Sequence, residues 1–391
     1  MIPFPFDLEV VRANEPVYPN RPQEKRAAPE PGIGLCLSGG GYRAMLFHLG
    51  SLWRLNEAGL LPKLARISSV SGGSITSGML GLAWSKLAFD PEGVARRFEE
   101  EVVTPIRDLA ERTIDAAAIV GGVLLPGNIS DKIANAYRRH LYGAATLQDL
   151  PDAPRFVINA TNVQSGALWR FSKPYMADYR VGMVPNPTVP LATAVAASSA
   201  FPPVLSPVEL ELRSPDFAPN SGLDLQQEPY TSTVVLTDGG VYDNLGLETV
   251  WKRYQTVMVS DAGGALDAEP DPKRDWGRHA MRVLFVIDNQ VRSLRKRQVI
   301  EAFQRKTDGH NGAYWGIRSH IADYGLPDAL DCPPDRVRAL AATPTRLKRL
   351  DSYLQRRLIN WGYAICDAAL RKHVNPELGP PQRFPYSGDG I

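Results

Sequence analysis

Leu35-Cys36-Leu37-Ser38-Gly39-Gly40-Gly41-Tyr42-Arg43 and Ile67-Ser68-Ser69-Val70-Ser71-Gly72-Gly73-Ser74 decide how this chain folds. In each, a short apolar run breaks on small residues and leads into a pattern of helical spacing, so each reads as a strand that turns sharply into a helix. Working outward, the expected elements are a strand over 32–37, a helix from Tyr42 to Ala58 stopped by Gly59, a strand over 66–70 and a helix from Ser74 onward. Strands alternating with helices imply a parallel sheet covered on both faces. Further strands are expected where Val208, Leu210 and Leu212 alternate with Glu209 and Glu211, and at 256–259 and 283–287. No internal repeat is visible.

Sharp turns of this kind carry chemistry. A serine where a strand turns into a helix is exposed at the sheet's edge and backed by a helix N-terminus, which makes Ser71 a candidate nucleophile. The local pattern is x-x-S-x-G, with Ser69 where the familiar motif has glycine; serine is small enough for the turn at some cost in strain. Ser74 is the weaker candidate, because Thr76 would place a β-branched side chain where strand and helix must pass closely. The bland alternative is that Gly72 and Gly73 end a buried strand and Ser71 caps the next helix. Upstream, the run Gly39-Gly40-Gly41 offers successive N–H groups with no side chains in the way, a nest for negative charge. Gly39, Gly41 and Ala44 also fit G-x-G-x-x-A, the pattern of a pyrophosphate-binding turn, but Glu57 falls at the end of the first helix rather than at the tip of a second strand. A third strand end lies at Val234-Val235-Leu236-Thr237-Asp238-Gly239-Gly240-Val241-Tyr242-Asp243-Asn244. There a β-branched strand delivers Asp238 onto a glycine pair, a placement that suits a base; the alternative is an ordinary Asp-Gly turn.

With these three sites in view, the chain resembles the patatin-like phospholipases. The residues that carry the resemblance are Ser38-Gly39-Gly40-Gly41-Tyr42-Arg43, Ser71 and the Asp238-Gly239-Gly240 triplet, with a further block at Ala196-Ala197-Ser198-Ser199-Ala200-Phe201-Pro202-Pro203, and together they span about residues 32–265. The glycine loop is also similar to that of the calcium-dependent cytosolic phospholipases. The resemblance implies a patatin-like three-layer sandwich, with a mostly parallel central sheet and helices on both faces. It also implies a Ser/Asp dyad acting on a phospholipid or lysophospholipid, with no metal or organic cofactor. Asp238 would take the Ser71 proton, Gly39, Gly40 and Gly41 would form the oxyanion hole, and an acyl-enzyme would then be released by water. Arg43 would either support the glycine loop or meet a substrate phosphate. Rival readings are an acyltransferase on the same dyad, a ligand-gated membrane-degrading effector, and a nucleotide-binding or lipid-binding module without catalysis. A Ser, Asp, His order is formally open, since His279, His310, His320 and His373 follow Asp238 while His48 and His140 precede it.

The composition fits a chain able to bury a sizeable core: 391 residues, 44% hydrophobic. Lys plus Arg number 44 against 42 Asp plus Glu, a balance that gives no reason to expect nucleic acid as partner. Cys36, Cys332 and Cys366 lack metal-site spacing and cannot all pair, which fits a reducing, cytoplasmic setting with at most peripheral contact at the membrane's inner face. No secretory leader is read at Met1–Tyr18, and the apolar stretch 116–126 is too short to span a bilayer. The organisation expected is an extended arm over 1–31, a catalytic domain over 32–373 with a helical extension from about 289, and an extended tail over 374–391. Arg292, Arg295, Lys296 and Arg297 are placed on one helix. A second is expected from Thr345, with Leu347, Leu350, Leu354, Leu358, Trp361 and Ile365 on its apolar face. The plain reading of both is a charged face in solvent; the other is attraction to anionic headgroups. Oligomeric state is not legible.

Overall fold

The computed structural model describes residues 29–115, 129–202 and 205–391; the expected arm up to residue 28 and the apolar stretch 116–126 lie outside them. The first two units form as anticipated. Strand β1 (Glu30–Leu37) runs into helix α1 (Gly41–Glu57), and β2 (Leu64–Val70) into α2 (Gly72–Ala83). Next come β3 (Arg155–Asn162), β4 (Ala167–Phe171), β5 (Tyr175–Asp178) and β6 (Gly182–Pro185). Helix α3 (Leu191–Ser198), β7 (Val208–Glu211), β8 (Thr233–Asp238) and β9 (Tyr254–Asp261) follow. The chain continues through α4 (Trp276–Arg305), β10 (Asn311–Gly316) and α5 (Ser352–His373).

Among the described residues these strands make one sheet in the order β10-β9-β1-β2-β3-β4-β5-β6, with β8 also on β3 and β7 on β8. The five central strands from β10 to β3 are parallel, and antiparallel strands extend the sheet beyond β3. Alternation along the central strands makes the layers. Leu35, Leu37 and Met258 point into one apolar layer, shared with α1 and α5. Cys36, Val257 and Val259 point into the other, covered by Leu245, Leu247, Val250 and Val299. This is the expected three-layer sandwich.

Helix α1 is buried almost throughout, because α5 covers the face it turns away from the sheet. The two backbones approach at reciprocal glycines: a Cβ on Gly50 would lie 1.9 Å from the Ile359 carbonyl oxygen, and one on Gly362 would lie 1.9 Å from that of Phe47. Helix α5 starts at Ser352 rather than Thr345, because the Asp351 side chain accepts the Leu354 N–H at 2.9 Å and fixes the cap there. Residues after His373 lie against it: Asn360 Nδ2 donates to the Tyr386 and Gly390 carbonyls, and Arg356 pairs with Asp389 at 2.5 Å.

The run 283–287, expected as a strand, is helical and sits in the middle of α4. Its β-branched, apolar composition misleads. The Asp275 side chain caps the helix by accepting the Arg278 N–H at 3.0 Å, and the i,i+4 pair Asp288–Arg292, at 3.0 Å, spans the next turn. Among the described residues no helix is long and apolar enough to cross a membrane.

Candidate active site

Strand register alone brings Ser71 and Asp238 together. Strand β2 pairs with β3 as far as Val70 opposite Asn159; β4 holds the other edge of β3 from Ile158 onward. The β2 edge is then taken by β8, whose Asp238 stands opposite Ala160, the residue after Asn159. The two strands therefore meet head to head on one edge of β3, and the residue ending each chain run faces the junction. A Cβ on Gly239 would lie 2.3 Å from the Asn159 carbonyl oxygen and 3.3 Å from Val70 Cγ1, so the residue after the aspartate must be glycine for the strands to close up.

Ser71 adopts φ 51° and ψ −120°, a conformation that side chains rarely tolerate, and is 8% exposed. Its N–H donates to Ser198 Oγ at 3.0 Å, and Ser198 is held in turn by Ser74 Oγ at 2.8 Å. Ser74 is fully buried and also bonds Ser69 Oγ at 3.1 Å, so it braces the turn from below while Ser71 faces the cavity. Serine at 69 is thereby accommodated. Strand β8 is strapped to the end of α3 by Asp238 N–H to the Ala200 carbonyl (3.0 Å) and Gly239 N–H to that of Ser198 (3.3 Å).

The glycine loop lies directly against the elbow. A Cβ on Gly72 would be 2.1 Å from the Gly41 carbonyl oxygen, and one on Gly39 would be 3.2 Å from Ser71 Cβ. Gly40 and Gly41 have φ 144° and 60°, the left-handed half of backbone space that the nest requires. Of the three N–H groups, that of Gly39 already donates to the Asn244 carbonyl at 3.1 Å, whereas those of Gly40 and Gly41 meet no acceptor among the described residues. Arg43 is buried and aimed away: Nε and a terminal nitrogen donate to the Ala262 carbonyl at 3.2 and 3.0 Å, and the other donates to that of Thr343. Its donors tie the start of α1 to the backbone at Ala262 and Thr343. His48 sits beneath, its Nε2 donating to the Ser38 carbonyl at 2.9 Å and its Nδ1 bonded to Ser260 Oγ at 2.8 Å. Burial pushes its imidazole down to about 4, so it stays neutral.

Asp238 is 1% exposed. Its Oδ1 accepts the Gly240 N–H at 2.7 Å, while Oδ2 is buried with no partner in strict hydrogen-bond geometry. Burial raises its carboxyl to about 7; the Gly240 N–H and the nearby Ser71 hydroxyl oppose the shift, and the charge of Asp288 adds to it. Ser71, Asp238 and Gly39 to Gly41 line one cavity of about 490 Å³. Its apolar lining includes Phe201, Pro202, Leu205, Leu266 and Phe285, and its charged lining residues are Asp115, Asp238, Asp288, Arg292 and Arg346. No histidine is among the described lining residues. Ser198, Asn244, Asp288 and Arg346 were not assigned roles from the sequence, and only Ser198 and Asn244 fall in motifs that drew attention.

Among solved structures, the chain is similar to human GIVD cytosolic phospholipase A2 at 13% identity and a TM-score of 0.49, covering 93% of this chain and 64% of that one. The same human protein in complex with methyl gamma-linolenyl fluorophosphonate gives 14% identity and 0.49 over 86% and 57%. VipD from Legionella pneumophila gives 17% and 0.35 over 89% and 68%. The chain thus spans less than two thirds of the human protein's length. No curated protein matches it. The family described as patatin-like phospholipase matches residues 35–251, more than half of the chain and the stretch that holds the glycine loop, the elbow and the aspartate. The chain belongs to the patatin-like phospholipase family.

Proposed function

We propose that this protein hydrolyses the acyl esters of membrane glycerolipids, as a phospholipase A or lysophospholipase, with Ser71 as nucleophile and Asp238 as base. Asp238 Oδ2 takes the hydroxyl proton as Ser71 Oγ adds to the ester carbonyl. The oxyanion that forms is met by the Gly40 and Gly41 N–H groups. Collapse expels the alcohol, which takes the proton back from Asp238, and leaves an acyl-Ser71 ester. Water, deprotonated by Asp238, then adds to that ester, and the fatty acid leaves as Ser71 regains its proton. The observation that carries the reading is that Ser71, the orphan carboxylate oxygen of Asp238 and two undedicated amides adjoin one apolar-walled cavity. Apolar walls suit an acyl chain.

The test compares the lipids of vesicles exposed to wild type, Ser71→Ala and Asp238→Asn, alongside labelling by a fluorophosphonate. Fatty acid release and labelling are expected from wild type only, each variant losing at least a hundredfold in rate. Release that survives Ser71→Ala would overturn the assignment.

A further inference from the structure

Over residues 276–294, helix α4 is amphipathic the wrong way round for a helix packed on a core. At about 100° per residue, Trp276, Val283, Ile287, Val291 and Leu294 fall on one stripe, flanked by Leu284 and Val286. All seven are exposed, Trp276 to 89%, Leu284 to 56% and Ile287 to 53%. The opposite face carries Phe285, Asp288 and Arg292, which line the cavity, and Arg295, which pairs with Glu248 at 2.8 Å. Over 276–294 those seven apolar side chains thus turn outward while charged groups line the inner face, and the helix packs apolar side chains inward farther on, at Val299 and Ala302. Phe285 stacks on Phe201 with ring centroids 6.2 Å apart and planes 7° from parallel, tying the helix to the cavity wall. Val241, next to the glycine pair of β8, is a further exposed apolar side chain nearby in sequence to the cavity lining.

An outward apolar stripe in water costs free energy unless something covers it. Of the seven basic residues of the helix, four pair with acids, Arg278 with Asp275, Arg282 with Glu269, Arg292 with Asp288 and Arg295 with Glu248, which leaves Lys296, Arg297 and Arg305 in excess over Glu301. Apolar insertion combined with this excess positive charge matches the chemistry of an anionic bilayer surface, with the stripe in the acyl boundary and the exposed Arg297 and Arg305 among headgroups. We infer that α4 is the membrane-docking element of this protein and seats the cavity on an anionic lipid surface through the stripe from Trp276 to Leu294. This rests on the lipid-hydrolase reading and deepens it, since the same helix walls the cavity on its inner side.

The test separates the two. Wild-type and Leu284→Glu/Ile287→Glu proteins, each also made in a Ser71→Ala background, are sedimented with vesicles of phosphatidylcholine and phosphatidylglycerol and with phosphatidylcholine alone. Binding by Ser71→Ala protein is expected on the anionic vesicles, weakened about tenfold or more by the double glutamate change and weak on neutral vesicles. Without the Ser71→Ala change, the glutamate variant is expected to keep turnover of a soluble short-chain ester while losing turnover of vesicle lipid. Equal sedimentation of both proteins, or none by either, overturns the docking role. So does a wild-type dimer that Ile287→Glu dissociates, because the stripe would then belong to a second copy. Vesicle binding with no hydrolysis of any ester would overturn the enzymatic reading and support the docking role.

Discussion

Ser71 holds a positive φ that glycine would adopt freely, so the chain carries local strain to present its hydroxyl. Ser71→Gly is therefore expected to raise stability by about 1 kcal/mol in denaturant unfolding while abolishing ester turnover, a pairing that a purely structural serine would not show. The Asp238 carboxyl, held up to about 7, makes a second prediction with opposite signs for rate and stability. As a base it must be ionised, so kcat/KM should climb as pH rises through about 7. Folding favours its protonated form, so its contribution to stability is complete below about pH 4 and is lost as pH rises through about 7. Asp238→Asn cannot ionise, and its melting temperature should fall less than that of wild type over that window. Ser71, Asp238 and the three glycines were legible because each closes a strand with a motif. Asp288 and Arg346 were not, because nothing local marks a side chain that reaches the cavity from a distant helix or loop.

At the scale of elements, close backbone approach decides more than apolar pattern does. Gly362→Ala would push a methyl into the Phe47 carbonyl across the α1–α5 contact, and a loss of roughly 1–3 kcal/mol or more in stability is expected, read from denaturant midpoints. Gly239→Ala acts on the strand junction instead. Its methyl meets the Asn159 carbonyl, and turnover should fall even where the variant remains folded, as checked by steady-state kinetics alongside circular dichroism. Strands β1, β2, β8 and β9 were readable from composition and turn residues within a few positions. Helix α4 was not: Val283-Leu284-Phe285-Val286-Ile287 has the residue types of a buried strand, and only its capping aspartate and ion-pair spacing reveal a helix. Helix α5 was expected but began late, because the leucines at 347 and 350 continue its rhythm before the Asp351 cap.

For the molecule as a whole, the family match ends at residue 251 but the sheet does not. Strand β9 lies between β1 and β10, and α5 covers α1, so both layers depend on residues beyond the match. The cavity does too, drawing on Gly263 to Leu266, on α4 and on Thr345 to Leu347. A fragment ending at residue 251 is therefore expected to lack a cooperative thermal transition, whereas the full chain should show one. Layering and sheet class could be read from alternation of elements; the antiparallel extension beyond β3 could not, since pairing between distant strands leaves no local trace.

The head-to-head junction of β2 and β8 has a kinetic consequence. Its two halves are supplied by remote parts of the chain, and β8 pairs with β3 across the intervening strands β4 to β7. Chain closure over that span is slow compared with helix formation. In a dilution-from-denaturant experiment, ellipticity at the helical band should return first, and the capacity to be labelled at Ser71 should lag behind it.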